Sequence, residues 1–180
     1  MKRIVLSDTH LGQTGQDGYG QVSLLSAVPE GHELKNAADA KLAALVLAVR
    51  EFSDGDPVAL CVNGDLLDLS LSTMRDGLEN LAHMLEPLES VRKLEYVIGN
   101  HDHHMWMLHS EHRRVIEPLE KGMLPDPVPY AATAEDGDPT RWLASFLTKR
   151  LGRKIECSIA YPALVLDWDR RNRQASEPRD

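Results

Sequence analysis

The chain has 180 residues, of which 42% are hydrophobic and 27% charged, with a formal net charge of -8 and a sequence pI near 5.5. That length and composition suit one soluble domain with a core of its own. The acidic balance excludes a nonspecific nucleic-acid binder, which needs clustered positive charge to displace phosphate counterions, but it leaves room for a phosphorylated substrate, because a metal reverses the sign of the field inside one pocket.

Two cysteines, Cys61 and Cys157, form no Cys-x-x-Cys pair, so neither a disulfide framework nor a zinc ribbon is expected and both read as free thiols in a reducing cytoplasm. The basic start Met1-Lys2-Arg3 is followed by only Ile4-Val5-Leu6 before Ser7-Asp8, too short for a secretory apolar segment. No run reaches membrane-spanning length. The expected location is cytoplasmic, with no membrane partner.

The first strand, residues 2–7, carries Ile4-Val5-Leu6 into Ser7-Asp8-Thr9-His10. Residues 12–31 hold no sustained period. A loop of that length is functional or disordered, and its place directly after Asp8 and His10 makes it a candidate lid or substrate-recognition segment. Over residues 36–52, Leu42, Leu45, Val46 and Val49 share one helical face, and Ser53-Asp54-Gly55-Asp56-Pro57 stops the helix. The second strand, residues 58–62, runs into Asn63-Gly64-Asp65-Leu66-Leu67-Asp68. Strand, helix and strand with short joints predict parallel strands joined by a right-handed crossover.

A helix capped by Ser70 or Ser72 follows, with Met74, Leu78, Leu81, Leu85 and Leu88 facing the core and Pro87 kinking or splitting its end. The third strand, residues 94–98, delivers Gly99-Asn100-His101-Asp102. From Asp102 another helix is expected, with Met105, Leu108, Val115, Ile116 and Leu119 as its core face and an end near Lys121-Gly122. Pro125, Pro127 and Pro129 predict an extended connection. Asp138-Pro139 and Gly152 bracket a helix over residues 140–151, whose apolar residues are Trp142, Leu143, Phe146, Leu147 and Leu151. Alternation of Ile155, Cys157 and Ile159 predicts a strand over 154–160, and residues 163–166 read as another. The expected organisation is a single domain over 1–168 and a charged, frayed tail over 169–180.

Three apolar strands thus end in Asp, Asn or His beside a turn residue, and in a parallel sheet those ends share the edge where open α/β sheets place their ligands. Such polar residues at the end of a buried strand must find hydrogen-bond or metal partners. Asp8-x-His10 puts a carboxylate and an imidazole on one side of an extended segment, and Gly64 permits a turn other residues resist. Each block alone is weak. The ordered set of three is much stronger.

That set resembles the calcineurin-like metallophosphoesterase superfamily, whose ordered blocks are Asp-x-His, Gly-Asp-x-x, Gly-Asn-His-Asp/Glu, a single later His and Gly-His-x-His. The resemblance implies an α/β, layered, metallo-dependent phosphatase-like fold, with a mainly parallel sheet flanked by helices and, for this chain, an incomplete β-sandwich core. It implies two divalent metal ions, of Mn, Fe or Zn, with Asp8 and His10 on the first, Asp65 bridging both and Asn100 on the second. It places His101 near the scissile phosphate as leaving-group acid or transition-state stabiliser, with Asp102 orienting it and Asp68 at most behind the ligands. The implied activity is hydrolysis of a phosphomonoester or phosphodiester, with a phosphorylated small molecule or other phosphoester as partner.

The departure is at the other end. The last histidine is His112, so the later His and Gly-His-x-His have no counterpart and three ligands of the family pattern are missing. A chain shortened or diverged toward its C-terminus is the expectation. His103, His104, His109 and His112 stand near enough in sequence to compensate, although helical histidines beside a site are ordinarily solvated. The alternative function is a catalytically impaired metal-binding or interaction module derived from such an enzyme. A bare apolar sheet face would favour a homo-oligomer, in which a partner subunit could complete the site.

Overall fold

The computed structural model describes residues 1–14, 22–105, 116–124 and 141–160. In chain order the elements are β1 (Lys2–Ser7), α1 (Lys35–Ser53), β2 (Val58–Asn63), α2 (Met74–Leu85), β3 (Val91–Val97), a short α3 (Glu117–Glu120), α4 (Arg141–Leu151) and β4 (Glu156–Ala160). The four strands form one sheet in the order β1-β2-β3-β4, and every pair is parallel. Sequential order with right-handed crossovers puts the connecting helices on one face.

The core shows that face. Leu60, Val62, Leu94 and Tyr96 are fully buried with Val49 of α1, Leu81, Met84 and Leu85 of α2, and Leu143 and Leu147 of α4. The helix over 36–52 is found at Lys35–Ser53, with Leu42, Leu45 and Val46 packed on the core and Asp54 ending it in a left-handed turn at φ 51°.

α2 differs from expectation at both ends. Its cap is Thr73, whose Oγ1 accepts from the Asp76 N–H at 3.1 Å. The Ser72 hydroxyl donates to the Asp68 carbonyl and the Ser70 N–H to the Asp68 carboxylate, so both serines belong to the turn that follows Asp68 and stand before the cap position. The helix stops at Leu85, so Pro87 lies past it and kinks nothing. Leu81, Leu85 and Leu88 are buried as expected, while Met74 and Leu78 are half-buried.

Of the residues expected to face the core after Asp102, Met105 is buried, but Ile116 is 40% and Leu119 54% exposed. Leu108 and Val115 lie outside the described residues, as do Asp138-Pro139, the strand expected over 163–166 and the tail over 169–180.

The opposite sheet face is not bare hydrocarbon. Glu95 is buried there between Arg3 Nε and Lys93 Nζ, each at 2.8 Å. Burial disfavours its charge, but the two cations outweigh that and hold the carboxyl below the usual carboxylate range. Burial, with the Glu95 charge beside it, pushes the Cys61 thiol up, as expected of an inert core thiol. Cys61 and Cys157 are not joined in a disulfide. Among the described residues there is no second sheet to complete a β-sandwich, and no helix is long and apolar enough to cross a membrane.

Candidate metal centre

Strand register builds the site. Ser7 pairs with Asn63, Asn63 with Val97 and Val97 with Ala160, so the strands end level across the sheet. The next residues of β1, β2 and β3 therefore emerge on one edge. Main-chain bonds continue past it: His10 N–H to the Asp65 carbonyl at 2.8 Å, Asp68 N–H to the Leu11 carbonyl at 2.9 Å, and Leu69 N–H to the His101 carbonyl at 3.1 Å. The turns are tight enough to force Asp8, His10 and Asp65 to φ values of 51°, 46° and 42°, a left-handed conformation that side chains resist and that persists where surrounding structure imposes it.

Asp65 is fixed from two sides. Its Oδ1 accepts the His101 N–H at 2.9 Å, and Gly99 passes so close that a Cβ there would stand 2.0 Å from Asp65 Oδ1 and 2.4 Å from its main-chain N. The glycine of the third block is therefore needed for space. Asp65 Oδ2 faces His10 Nε2 at 4.0 Å.

Behind these groups lies Asp68, whose side chain is fully buried. Its Oδ2 meets His10 Nδ1 at 3.2 Å and its Oδ1 meets His101 Nδ1 at 3.1 Å. Oδ1 also accepts the N–H groups of Ser70 and Leu71, and Gln13 Nε2 donates to Oδ2. A carboxylate only accepts, so both imidazoles turn a protonated Nδ1 toward Asp68 and leave Nε2 for other partners. The rings meet edge to face, with centroids 4.8 Å apart. Burial disfavours the Asp68 charge, yet the His101 and His10 rings and the Leu71 N–H outweigh it and hold the carboxyl low. The bond to Asp68 in turn raises His101 above the ordinary imidazole range, with Asp65 and Asp102 adding to the effect and burial opposing it.

His10, Asp65 and His101 can each offer one ligand atom within 4.8 Å of the others. His10 and Asp65, with Asp68 holding the His10 ring from behind, are donors that fit a divalent metal, and His101, held by the same Asp68, stands beside them as a third donor or as a proton carrier. Of the expected ligands, His10 and Asp65 are in this group. Asp8 is exposed, its carboxylate taken by the Ser7 hydroxyl, and Asn100 is exposed at the turn. His103 and His104 are exposed and outside the group, while His109 and His112 fall outside the described residues.

Residues 1–157 match the family model for calcineurin-like phosphoesterases. The chain belongs to that family. No curated protein and no solved structure matches it. In this calcineurin-like phosphoesterase the orienting partner of His101 is Asp68 in place of the expected Asp102. Asp102 is fully buried and accepts the Gly99 N–H at 2.7 Å and the Leu67 N–H at 3.2 Å, tying the third turn to the second. Burial pushes its carboxyl above the ordinary range, and the Tyr96 hydroxyl and those two N–H groups do not offset it. Sequence reading underweighted Asp68 and missed Gln13. The first was marked by the Gly64-Asp65-x-x-Asp68 spacing, whereas the second has no local signal.

Proposed function

We propose that the chain hydrolyses phosphomonoesters or phosphodiesters of small molecules at a centre for two divalent ions, of Mn, Fe or Zn. The observation that supports this is the convergence of His10, Asp65 and His101 on one sheet edge of a calcineurin-like phosphoesterase. In this reading Asp8 and His10 would hold one ion, Asn100 would hold the other and Asp65 would serve both. Ions bound there supply Lewis acidity toward the phosphoryl oxygens and make a water nucleophilic at neutral pH. His101 carries the proton for the leaving oxygen: Asp68 favours its imidazolium form, Nε2 gives up the proton, and the neutral ring stays bonded through Nδ1. Asp102 acts as a positioning residue through the main chain of Gly99 and Leu67.

A second reading is a metal-binding module without turnover. It is favoured by the exposure of Asp8 and Asn100 outside the converging group. The two separate in one experiment: metal content after dialysis against Mn2+ or Zn2+, beside hydrolysis of p-nitrophenyl phosphate and its bis ester, with Asp65→Ala and His101→Ala. Bound metal with turnover lost in both variants supports the phosphoesterase. Bound metal with no variant-sensitive turnover overturns it in favour of the module.

A further inference from the structure

A cavity of about 600 Å3 opens beside the metal centre, shares His10 with it and is also lined by Asp8. Its apolar wall is Leu6 of β1 with Leu24 and Leu25 of the loop before α1, and Lys41 of α1 also lines it. The wall is held in place. Ser23 Oγ donates to the Thr9 carbonyl at 2.6 Å, Gly12 N–H to Ser26 Oγ at 3.0 Å, and Ala27 N–H to Asn80 Oδ1 on α2 at 2.6 Å. The exposed Lys41 ammonium has no hydrogen bond or ion pair among the described residues, while Asp39, the nearest acid on its helix, is taken by Lys35.

Apolar walls with a few placed polar groups are the makeup of a small-molecule site, and a cation that is unpaired among the described residues, in a chain of net charge -8, selects for an anion at that point. We infer that this cavity receives the alcohol part of the phosphoester. Its apolar frame lies against Leu6, Leu24 and Leu25, and a second anionic group, carboxylate or phosphate, pairs with Lys41. The inference rests on the phosphoesterase reading and names the class of substrate: phosphoesters whose alcohol is itself anionic. Lys41 is the residue that sets this specificity.

Binding measures it without turnover. Calorimetric titration of the Mn2+-loaded chain with benzylphosphonate, 4-carboxybenzylphosphonate and the para-bisphosphonate separates the metal-directed group from the second anion and distinguishes carboxylate from phosphate. An exposed ion pair is worth up to about fivefold in affinity, so one of the two ligands that carry a second anionic group is expected to bind about two- to fivefold tighter than benzylphosphonate. Lys41→Ala brings the affinities together, Lys41→Arg keeps the gap, and Lys149→Ala on α4 leaves the parent pattern. Equal affinities in the parent, or a gap that survives Lys41→Ala, overturn this inference while leaving the phosphoesterase reading intact. A Mn2+-loaded chain that binds none of the three overturns both.

Discussion

Gly99→Ala tests the close approach on which the metal centre depends. A Cβ at this position would lie 2.0 Å from Asp65 Oδ1, 2.6 Å from its Cγ and 2.4 Å from its main-chain N. The carboxylate can swing aside. The main chain cannot, because the Gly64 N–H is bonded to the Val97 carbonyl and the Asp65 carbonyl to the His10 N–H. Overpacking of this kind costs about 1–3 kcal/mol, which is about 2–12 °C in Tm for a chain of this size. A displaced Asp65 also gives up the His101 N–H and leaves the converging group, so Mn2+ affinity should fall about 10- to 100-fold. Gly64→Ala is the control. Its φ is 83° and nothing lies within 4 Å of the added methyl, so it costs about 1 kcal/mol through backbone strain alone and leaves Mn2+ affinity unchanged. Circular-dichroism melts in EDTA and a Mn2+ titration measure the two effects. A Gly99→Ala chain that melts and binds Mn2+ like its parent would refute the close approach.

Asp68→Asn leaves one acceptor oxygen where two imidazoles are now held, so one ring loses its orienting bond; Mn2+ affinity is expected to fall about 10-fold or more. The specific readout is imidazole 15N chemical shift, which should report the Nδ1–H tautomer for both rings in the parent and for only one in the variant. Unchanged shifts would sink the claim. Glu95→Gln removes the charge shared by Arg3 and Lys93 and should cost about 1 kcal/mol at pH 7, since both cations stay partly in water. The folded pKa of Glu95 is depressed, so its contribution is fully present above the unfolded value of about 4.3 and disappears as pH falls through the folded one. Urea midpoints of parent and variant should converge in acid; a constant gap from pH 7 to pH 3 would rule this out.

The sequence by itself determined β1, β2 and β4 to within two residues and the three polar turns, while β3, expected over 94–98, begins three residues earlier at Val91. Alternation and uninterrupted apolar runs depend on local spacing, and Gly64, Gly99 and the acidic and imidazole residues mark the turns whatever lies around them. The family resemblance followed from the same blocks. Tertiary structure decided the assignments between them. Thr73 caps α2, while Ser70 and Ser72 are drawn into the turn after Asp68, and Ile116 and Leu119 are exposed among the described residues. Asp68 holds His10 and His101 together only because level parallel strands bring residues 58 and 33 positions apart onto one edge. Which carboxylate reaches which imidazole is a distance across the sheet, and no spacing along the chain contains it.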